Sequence, residues 1–195
     1  MSTDAGIDLV TLEILWSRLI TVTNEQAAAL QRTSFTPIVR ESGDLSAAVF
    51  DARGRMLAQA VTGTPGHINS LATSMHHFLA AFPPETLQPG DVLITNDPWK
   101  TSGQLNDLSV VTPVFRDGRL IGFFGNTCHA MDIGGRGLSA DAAGPAPAAA
   151  PAAAGRGDDR VLGVGGLSRR GGQAERRAGE GLVLAAHLAR LAHAA

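Results

Sequence analysis

The chain has little of what several common protein classes require. Only one of its 195 residues, Cys128, is cysteine, and tyrosine is absent, so a disulfide within the chain is excluded. Apolar runs such as 120–124 fall far short of the roughly 20 residues that a helix needs to cross a bilayer. The formal net charge is −2, and the first two thirds of the chain carry no basic stripe. Nucleic-acid binding therefore has little electrostatic support.

The amino terminus lacks the features of a secretory signal. Its first residues, MSTDAGID, are acidic rather than basic, and an amphipathic pattern follows them. Signal peptides begin instead with basic residues and an apolar run. We therefore expect a cytoplasmic protein with no membrane partner and no nucleic-acid partner. The chain is long enough to bury a substantial core in one domain.

Composition changes abruptly near Ala140. From there to the end, Ala, Gly, Pro and Arg dominate, and Lys, Asn, Ile, Phe, Met, Thr and Trp are absent. We expect residues 1–140 to be the folded region and residues 141–195 to be a tail. This tail is either disordered low-complexity chain or the product of a GC-rich gene read in the wrong frame. A short helix is predicted over 182–192, because Ala and Leu are strong helix formers.

Two helices are predicted in the folded region. Asp8 is the predicted N-cap of a long helix over about 9–32, where apolar residues recur at helical spacing. Thr36-Pro37 ends this helix, since a residue that precedes proline avoids the α conformation. The second helix is predicted over about 68–82, and the prolines that follow it stop it.

Strands connect and follow these helices. Turn signals lie at Gly54 and at Asp117-Gly118, each between two runs of strand-forming residues. The predicted strands cover 46–50, 56–60, 92–95, 108–115 and 120–127. The predicted fold class is therefore α+β: a long amino-terminal helix, a second helix and a largely antiparallel sheet built from hairpins.

Two polar clusters lie at the ends of the last predicted hairpin. NDPWKTSGQLND precedes its first strand, and NTCHAMDIGGRG follows from the end of its second. A hairpin brings its ends together, so these clusters are predicted to converge on one site. The residues with metal-binding or carbonyl-binding groups are Asn96, Asp97, Gln104, Asn106, Asp107, Asn126, Cys128, His129 and Asp132.

The register of the hairpin decides which of these residues meet. Counting outward from the Asp117-Gly118 turn, residues whose numbers sum to about 235 pair, which places Asp107 opposite Cys128. A bulge of one residue would instead align Asp107 with His129. The composition of the site therefore depends on whether the hairpin contains a bulge.

The candidates after the hairpin have both a functional and a structural interpretation. His129 and Asp132 suit two ligands of a divalent metal, or a base with its orienting carboxylate. An isolated histidine is more often a hydrogen-bonded residue of the core or its rim. Cys128 is a conceivable nucleophile, although a small buried residue is the commoner case. The backbone N–H groups of Gly134 and Gly135 could bind an oxyanion.

The candidate residues before the hairpin also have both a functional and a structural interpretation. Asn96 and Asp97 are typical of turns, because their side chains cap their own backbone. Asp107 could be a solvated carboxylate at a strand edge, and it gains a functional interpretation only if it meets His129. His67 has a further claim on the site, against the alternative of a surface-loop histidine.

Several motifs, in order and with matching spacing, resemble the amino-terminal region of the hydantoinase B/oxoprolinase family. They are RESGDLSAAVFDARGRMLAQA, GTPGHINSL, LQPGDVLITNDPW, SGQLNDLSVVTPVF and CHAMDIGGRG, over roughly residues 8–141. The resemblance implies ATP-dependent ring-opening hydrolysis of a cyclic amide, or carboxylation in the acetone carboxylase branch. It further implies a hetero-oligomer, in which a hydantoinase A-type subunit uses ATP to activate the substrate on which the B component acts.

The resemblance also implies a divalent metal, with Mn, Zn and Mg all open. Its implied ligands are Asp107, His129 and Asp132, although many members have histidine where this chain has Gln104 and a second histidine at Cys128. The amide of glutamine is a poor ligand for a transition metal. Our candidate catalytic residues, taken from the residue patterns above, are His129, Asp132, Asn96 and Asp97. Our candidate substrate-binding residues are His67, Gln104, Asn126, Gly134 and Gly135.

Family members are several times longer than the matched region. We therefore expect an amino-terminal fragment that is inactive alone. Two alternatives remain open at this stage. The chain could be a non-catalytic module that retains a surface for binding its partner, or it could fail to fold stably because apolar surface is left exposed.

Overall fold

The structure, a computed structural model, describes residues 7–131 and the backbone of Val161–Gly163. The helices in chain order are α1 (Leu9–Thr33), α2 (Pro37–Arg40) and α3 (Pro65–Ala81), with a 3-10 turn at Pro84–Thr86. The strands are β1 (Leu45–Asp51), β2 (Met56–Gln59), β3 (Val92–Thr95), β4 (Asp107–Arg116), β5 (Arg119–His129) and β6 (Val161–Gly163). No described helix is both long enough and apolar enough to cross a bilayer.

The strands form one sheet in the order β2-β1-β5-β4-β3-β6. All pairs among β1 to β5 are antiparallel, and only β6 runs parallel to its neighbour β3. The predicted α+β class with a largely antiparallel sheet is confirmed. The short strand β6, which no sequence pattern indicated, lies within the segment 141–195. The helix predicted over 182–192 falls outside the described residues.

The start of α1 is as predicted. Asp8 is its N-cap, and the carboxylate accepts a hydrogen bond from the backbone N–H of Thr11 at 3.0 Å. Two boundaries differ from the sequence prediction. The short helix α2 follows at Pro37, because proline is well suited to a first helical position once Thr36 caps it. For the same reason α3 begins at Pro65 rather than at 68.

The earlier start of α3 changes the environment of His67. This residue lies in the first turn of a helix packed on the sheet, and only 4% of its surface is exposed. The alternative of a surface-loop histidine is therefore wrong. Its ring is buried at the place where α3 meets the ends of β4 and β5.

The two faces of the sheet carry separate apolar clusters. Helix α3 packs on one face against β1 and β5, and α1 packs on the other face against β1 and β2. The cluster on the α3 face contains Ala48, Phe50, Leu71, Met75, Phe78, Leu87, Leu93, Val111 and Phe123. The cluster on the α1 face contains Ala27, Leu30, Val39, Leu45, Ala47 and Ala60.

The hairpin of β4 and β5 contains the bulge on which the site depends. Asp117 and Gly118 both have positive φ, 52° and 74°, as a two-residue turn of type I′ requires. Next to this turn Phe115 pairs with Leu120, but Val114 pairs with Gly122, so Ile121 is an extra residue in β5. Beyond the bulge the register is shifted by one residue, and Asp107 faces His129.

Only the second half of α1 is packed. Its buried residues are Thr23, Ala27 and Leu30. The large apolar residues of its first half with exposed side chains are Leu9, Val10, Leu12, Ile14, Leu15, Trp16 and Val22. This half of the helix presents an apolar surface with nothing from the described part of the chain against it.

Close packing between β1 and β5 predicts that Gly122 cannot be enlarged. A Cβ at this position would clash with the backbone carbonyl oxygen of Phe50. We expect Gly122→Ala to lower the free energy of unfolding by about 1–3 kcal/mol, as overpacking does. The measurement is urea unfolding. As control, Gly66→Ala, where a Cβ meets nothing within 4 Å in the first turn of α3, should leave stability unchanged or raise it by up to about 1 kcal/mol; equal stability of both variants would contradict the packing argument.

Candidate functional site

Four side chains from four parts of the chain converge at one end of the sheet. Asp107 is the first residue of β4 and His129 the last residue of β5, and the shifted register places them opposite each other. Asp44 immediately precedes β1, and its carbonyl oxygen accepts a hydrogen bond from the N–H of His129 at 3.2 Å. His67 comes from the first turn of α3, which covers this face.

Asp107 is the centre of the cluster. Its Oδ2 lies 3.0 Å from Nε2 of His67, and its Oδ1 lies 2.9 Å from Nδ1 of His129. The same two nitrogens lie 3.7 and 3.9 Å from the carboxylate oxygens of Asp44. The side-chain amide of Gln104 donates a third hydrogen bond to Asp107, to Oδ2 at 3.0 Å.

These groups are buried, and their charges are coupled. Asp107 is fully buried, and His129 is 5% exposed. Burial raises the pKa of Asp107, but the side chains of His67, Ser102, Gln104 and His129 outweigh it and hold that pKa well below its usual range. Burial lowers the pKa of His67, but its hydrogen bond to Asp107 and the nearby carboxylates outweigh this and raise that pKa. The site therefore stabilises an ionised carboxylate between imidazoles.

Thr64 supports the second carboxylate. It is the N-cap residue of α3, yet its side chain makes no cap hydrogen bond. Its hydroxyl donates instead to Oδ1 of Asp44 at 2.6 Å. A hydroxyl that would ordinarily stabilise the helix start is thus used to orient a carboxylate of the site.

Buried hydroxyls lie directly below the cluster on the α3 face. Ser46, Thr127 and Ser109 are paired across β1, β5 and β4, two residues along each strand from the site. The hydroxyls of Ser109 and Thr127 hydrogen bond at 2.8 Å. Because side chains two apart share a face, this row separates the charged cluster from the apolar core.

The structure brings together four of the residues singled out by sequence. They are His67, Gln104, Asp107 and His129, which the distances above connect. Asp44 and Thr64 complete the cluster and were missed as site residues. Nothing in the local pattern around Asp44 shows that β1 lies beside β5.

Asn96 and Asp97 have structural roles in the loop after β3. The side-chain amide of Asn96 donates to the carbonyl oxygen of Leu105 at 2.8 Å. Asp97 accepts a hydrogen bond from the N–H of Trp99 at 3.0 Å and forms an ion pair with Lys100 at 3.0 Å. These contacts are of the kind expected if Asn96 and Asp97 are turn residues. They hold the loop that carries Gln104.

Asn126 and Cys128 lie on the opposite face. Asn126 is three residues from His129 along β5, so its side chain points toward the α1 side. Cys128 packs against the apolar cluster on that side. Burial, together with the charges of Asp107 and Asp44, raises the pKa of the Cys128 thiol to about 12. The thiol is therefore protonated near neutral pH, which favours a small packing residue, here partly buried, over the nucleophile.

Asp132, Gly134 and Gly135 lie outside the described residues. The roles predicted for them, as metal ligand and as oxyanion donors, stay predictions.

The donor set of the cluster suits a divalent metal. Two imidazoles and two carboxylates are the ligand types of zinc and manganese sites. Among the described residues, no three such side chains stand in the arrangement of metal ligands. The distances of 2.9–3.9 Å between nitrogens and oxygens nevertheless bracket the about 3.4 Å that separates two ligands of one tetrahedral zinc.

The raised pKa of His67 predicts a pH dependence of stability in the metal-free chain. Because the pKa of His67 is higher in the folded chain than in the unfolded chain, protonation of this ring stabilises the fold. The stabilisation is complete below pH 6.5 and is lost as the pH rises through the pKa of the folded state. We expect the difference in Tm between the wild type and His67→Gln to shrink over that rise, measured with a chelator present. His76→Gln, which changes an exposed histidine of the same helix, is the control. A difference independent of pH would contradict the prediction.

The hydrogen bond from Thr64 to Asp44 predicts a second effect on stability. Thr64→Val keeps the shape but removes the donor, so a partly buried carboxylate loses a charged hydrogen bond. We expect the free energy of unfolding to fall by about 1.5–3 kcal/mol. Thr64→Ser keeps the hydroxyl and should cost clearly less. Chemical denaturation of the three proteins checks this, and equal losses in both variants would show that the methyl group matters rather than the hydroxyl.

Comparison with known proteins places the chain among proteins of related sequence. It is 35% identical over 133 residues to 5-oxoprolinase of Saccharomyces cerevisiae, and the aligned segment covers 68% of this chain and 10% of the yeast protein. It is 32% identical over 135 residues to the putative B-type subunit of a D-/L-hydantoinase from Pseudomonas sp., covering 66% of this chain and 22% of that protein. The chain thus matches about a tenth to a quarter of the length of such relatives.

Two solved structures share the fold. The nucleotide-free structure of acetone carboxylase aligns with a TM-score of 0.62 and 21% identity, over 92% of this chain and 25% of that chain. The ATP-dependent caprolactamase from Pseudomonas jessenii aligns with a TM-score of 0.59 and 24% identity, over 95% of this chain and 34% of that chain.

The family profile described as hydantoinase B/oxoprolinase matches residues 8–143 of this chain. This span holds Asp44, His67, Gln104, Asp107 and His129, so the whole described cluster lies within the matched region. The resemblance noted in the sequence motifs is confirmed: the chain belongs to the hydantoinase B/oxoprolinase family.

Proposed function

We propose that this chain is the amino-terminal part of a B-type component that hydrolyses a cyclic amide, after a hydantoinase A-type partner has activated the substrate with ATP. The names of its relatives support the substrate class, since 5-oxoproline, hydantoin and caprolactam are all cyclic amides. The Pseudomonas hydantoinase relative is itself named as one subunit of an enzyme, which supports an assembly of more than one chain. Because the chain spans a minor part of these proteins, we expect it to act only within a larger assembly.

The buried, ionised Asp107 between two imidazoles is the observation that carries this proposal. A carboxylate that is fully buried and still charged is costly unless it is well paired. Strongly shifted pKa values of this kind concentrate at functional sites. The cluster also lies at the ends of β4 and β5, within the segment that the family profile matches. At such a place, side chains from several elements can reach one substrate.

The same proposal includes a divalent metal. Asp107 and His129 would hold it, with Asp44 as a further carboxylate and Asp132 as a ligand from outside the described residues. When bound, a metal would polarise an amide or acyl-phosphate carbonyl, or lower the pKa of a water molecule. Imidazole ligands favour zinc over magnesium, and the carboxylates also suit manganese.

The residues of the chain contribute orientation and proton handling. Asp107 fixes the rings of His67 and His129 through one oxygen each, and this determines which nitrogen of each ring faces the carboxylate. The hydrogen bond between Nδ1 of His129 and Asp107 leaves Nε2 on the far side of the ring from this carboxylate. Gln104 and Thr64 hold the two carboxylates in place.

A chimera tests this function. Residues 8–143 of this chain replace the matching segment of a complete B-type hydantoinase component, which is then assembled with its A-type partner. We expect Asp107→Asn to lower ATP-dependent ring opening by about 10²- to 10⁴-fold, because both imidazoles lose their charged partner. His76→Ala, at an exposed position on α3, should retain the parent activity. Undiminished hydrolysis by the Asp107→Asn chimera would sink the proposal.

A second function, a non-catalytic module that binds a partner chain, is favoured by one observation. The first half of α1 exposes a contiguous apolar surface, with Leu9 79% and Trp16 55% exposed, and such patches mark interaction sites. The chimera separates the two functions. Assembly that depends on α1, together with activity that does not depend on Asp107, would favour the module.

A further inference from the structure

The first half of α1, residues 9–22, continues the side of the helix by which the second half packs on the sheet. In the second half, Thr23, Ala27 and Leu30 are the buried residues. Residues three, four or seven positions apart lie on the same side of a helix. Counting back from Thr23 in such steps, this side carries a row of large apolar residues, which we call the α1 stripe: Ile20, Leu19, Trp16, Leu12 and Leu9.

The sheet covers only the end of the α1 stripe. Helix α1 packs against β1 and β2, and the two stripe residues nearest to the packed half, Leu19 and Ile20, are half-buried. Further toward the amino terminus, Trp16 is 55% and Leu12 44% exposed. The stripe therefore continues out of the core, with no covering surface from the described part of the chain.

The other sides of this half of the helix are also apolar. Val10 and Ile14 lie on a second side, Leu15 and Val22 lie on a third, and all four are exposed. A helix that is apolar on most of its sides is characteristic of a protein interior. One helix of a second copy would cover a single side, so this surface requires a body that encloses the helix.

The composition of residues 9–22 indicates a permanent neighbour. Apolar residues are the majority, and the polar ones are Thr11, Glu13, Ser17, Arg18 and Thr21. Interfaces between chains that also exist apart are about as apolar as the rest of a protein surface, whereas permanent contacts resemble a core cut in half. This half of α1 is of the second kind.

The relatives have a large body beyond the region that they share with this chain. The aligned segment is 22% of the hydantoinase relative. It is 25% of the acetone carboxylase chain and 34% of the caprolactamase chain. In each, most of the polypeptide is therefore available to enclose α1.

We propose that residues 9–22 of α1 are an interior helix of the complete B component, enclosed by an apolar face of the part of that polypeptide that follows the matched region. The proposal rests on the part of the proposed function that makes this chain one end of a larger component, and it is independent of the chemistry at Asp107. It gives α1 a neighbour from its own polypeptide, whereas the second function above would give it a separate chain.

Trypsin tests whether the helix is enclosed, because Arg18 lies within residues 9–22 and is exposed in this chain. The 195-residue chain is compared with the chimera described above, prepared without its A-type partner. We expect cleavage after Arg18 to be at least about tenfold slower in the chimera, since an enclosed helix must open before a protease can reach it. Mass spectrometry of the released peptide gives the rate.

A pair of neighbouring substitutions tests the α1 stripe itself. Trp16→Glu places a charge on the stripe, and Ser17→Glu places the same charge one residue away on a polar position. We expect Trp16→Glu to lower the Tm of the chimera by several degrees, because a buried carboxylate without a partner is costly. The same change should barely affect the Tm of the 195-residue chain, and Ser17→Glu should lower the Tm of the chimera clearly less.

Three outcomes would overturn the inference. Protection of Arg18 that appears only when the A-type partner is added would assign α1 to that partner. Protection that is lost on dilution, as a dimer dissociates, would assign it to a second copy. Equal cleavage rates in both proteins, with equal effects of the two substitutions, would leave α1 uncovered. None of these measurements reads ring opening, so the proposed function can fail while this inference stands.

Discussion

The ionised carboxylate of Asp107, buried between two imidazoles, is the constraint on which this end of the molecule depends. Its cost is offset by three donors from three elements: His67 on α3, Gln104 in the loop before β4, and His129 on β5. Removing any one donor leaves a buried charge short of a partner, which costs more than an ordinary hydrogen bond contributes. The carboxylate therefore fixes how the helix, the loop and the hairpin meet, and stability and function share the same contacts.

The bulge at Ile121 is what brings this carboxylate to its partners. Without an extra residue in β5, Asp107 would pair with Cys128, and its side chain and that of His129 would point to opposite faces of the sheet. The bulge is close to the turn, about seven or eight residues along each strand from the site, so it sets the register of the core pairs as well as that of Asp107 and His129. A local insertion near one end of the hairpin thus sets the chemistry at the other end.

Much of the fold could be predicted from the sequence, because its signals are local. Asp8 as N-cap, the Asp117-Gly118 turn and the runs of strand-forming residues on either side of that turn each depend on neighbouring residues, and the structure has all of them. The site could be predicted only where it depends on that hairpin. Asp44 and Thr64 belong to it because β1 pairs with β5 and α3 starts at Pro65, and pairing across more than 80 residues of chain leaves no local signal. The bulge was recognised as an alternative, but side-chain periodicity alone does not locate it.

One face of the sheet changes from apolar to charged within three rows, and this gradient explains how a charged site can lie against a hydrophobic core. Ala48, Gly125, Val111 and Leu93 form a row packed under α3. The next row carries the hydroxyls of Ser46, Thr127 and Ser109, and the last carries His129 and Asp107. The hydroxyls of Ser109 and Thr127 bond each other, and that of Ser46 donates to the carbonyl oxygen of Thr64, so the row is polar and yet packs beside methyl groups. Replacing this middle row by apolar residues would place the carboxylate in direct contact with the core, where its charge would be far more costly. The hydroxyl row is therefore as much a condition of the site as the residues that form it.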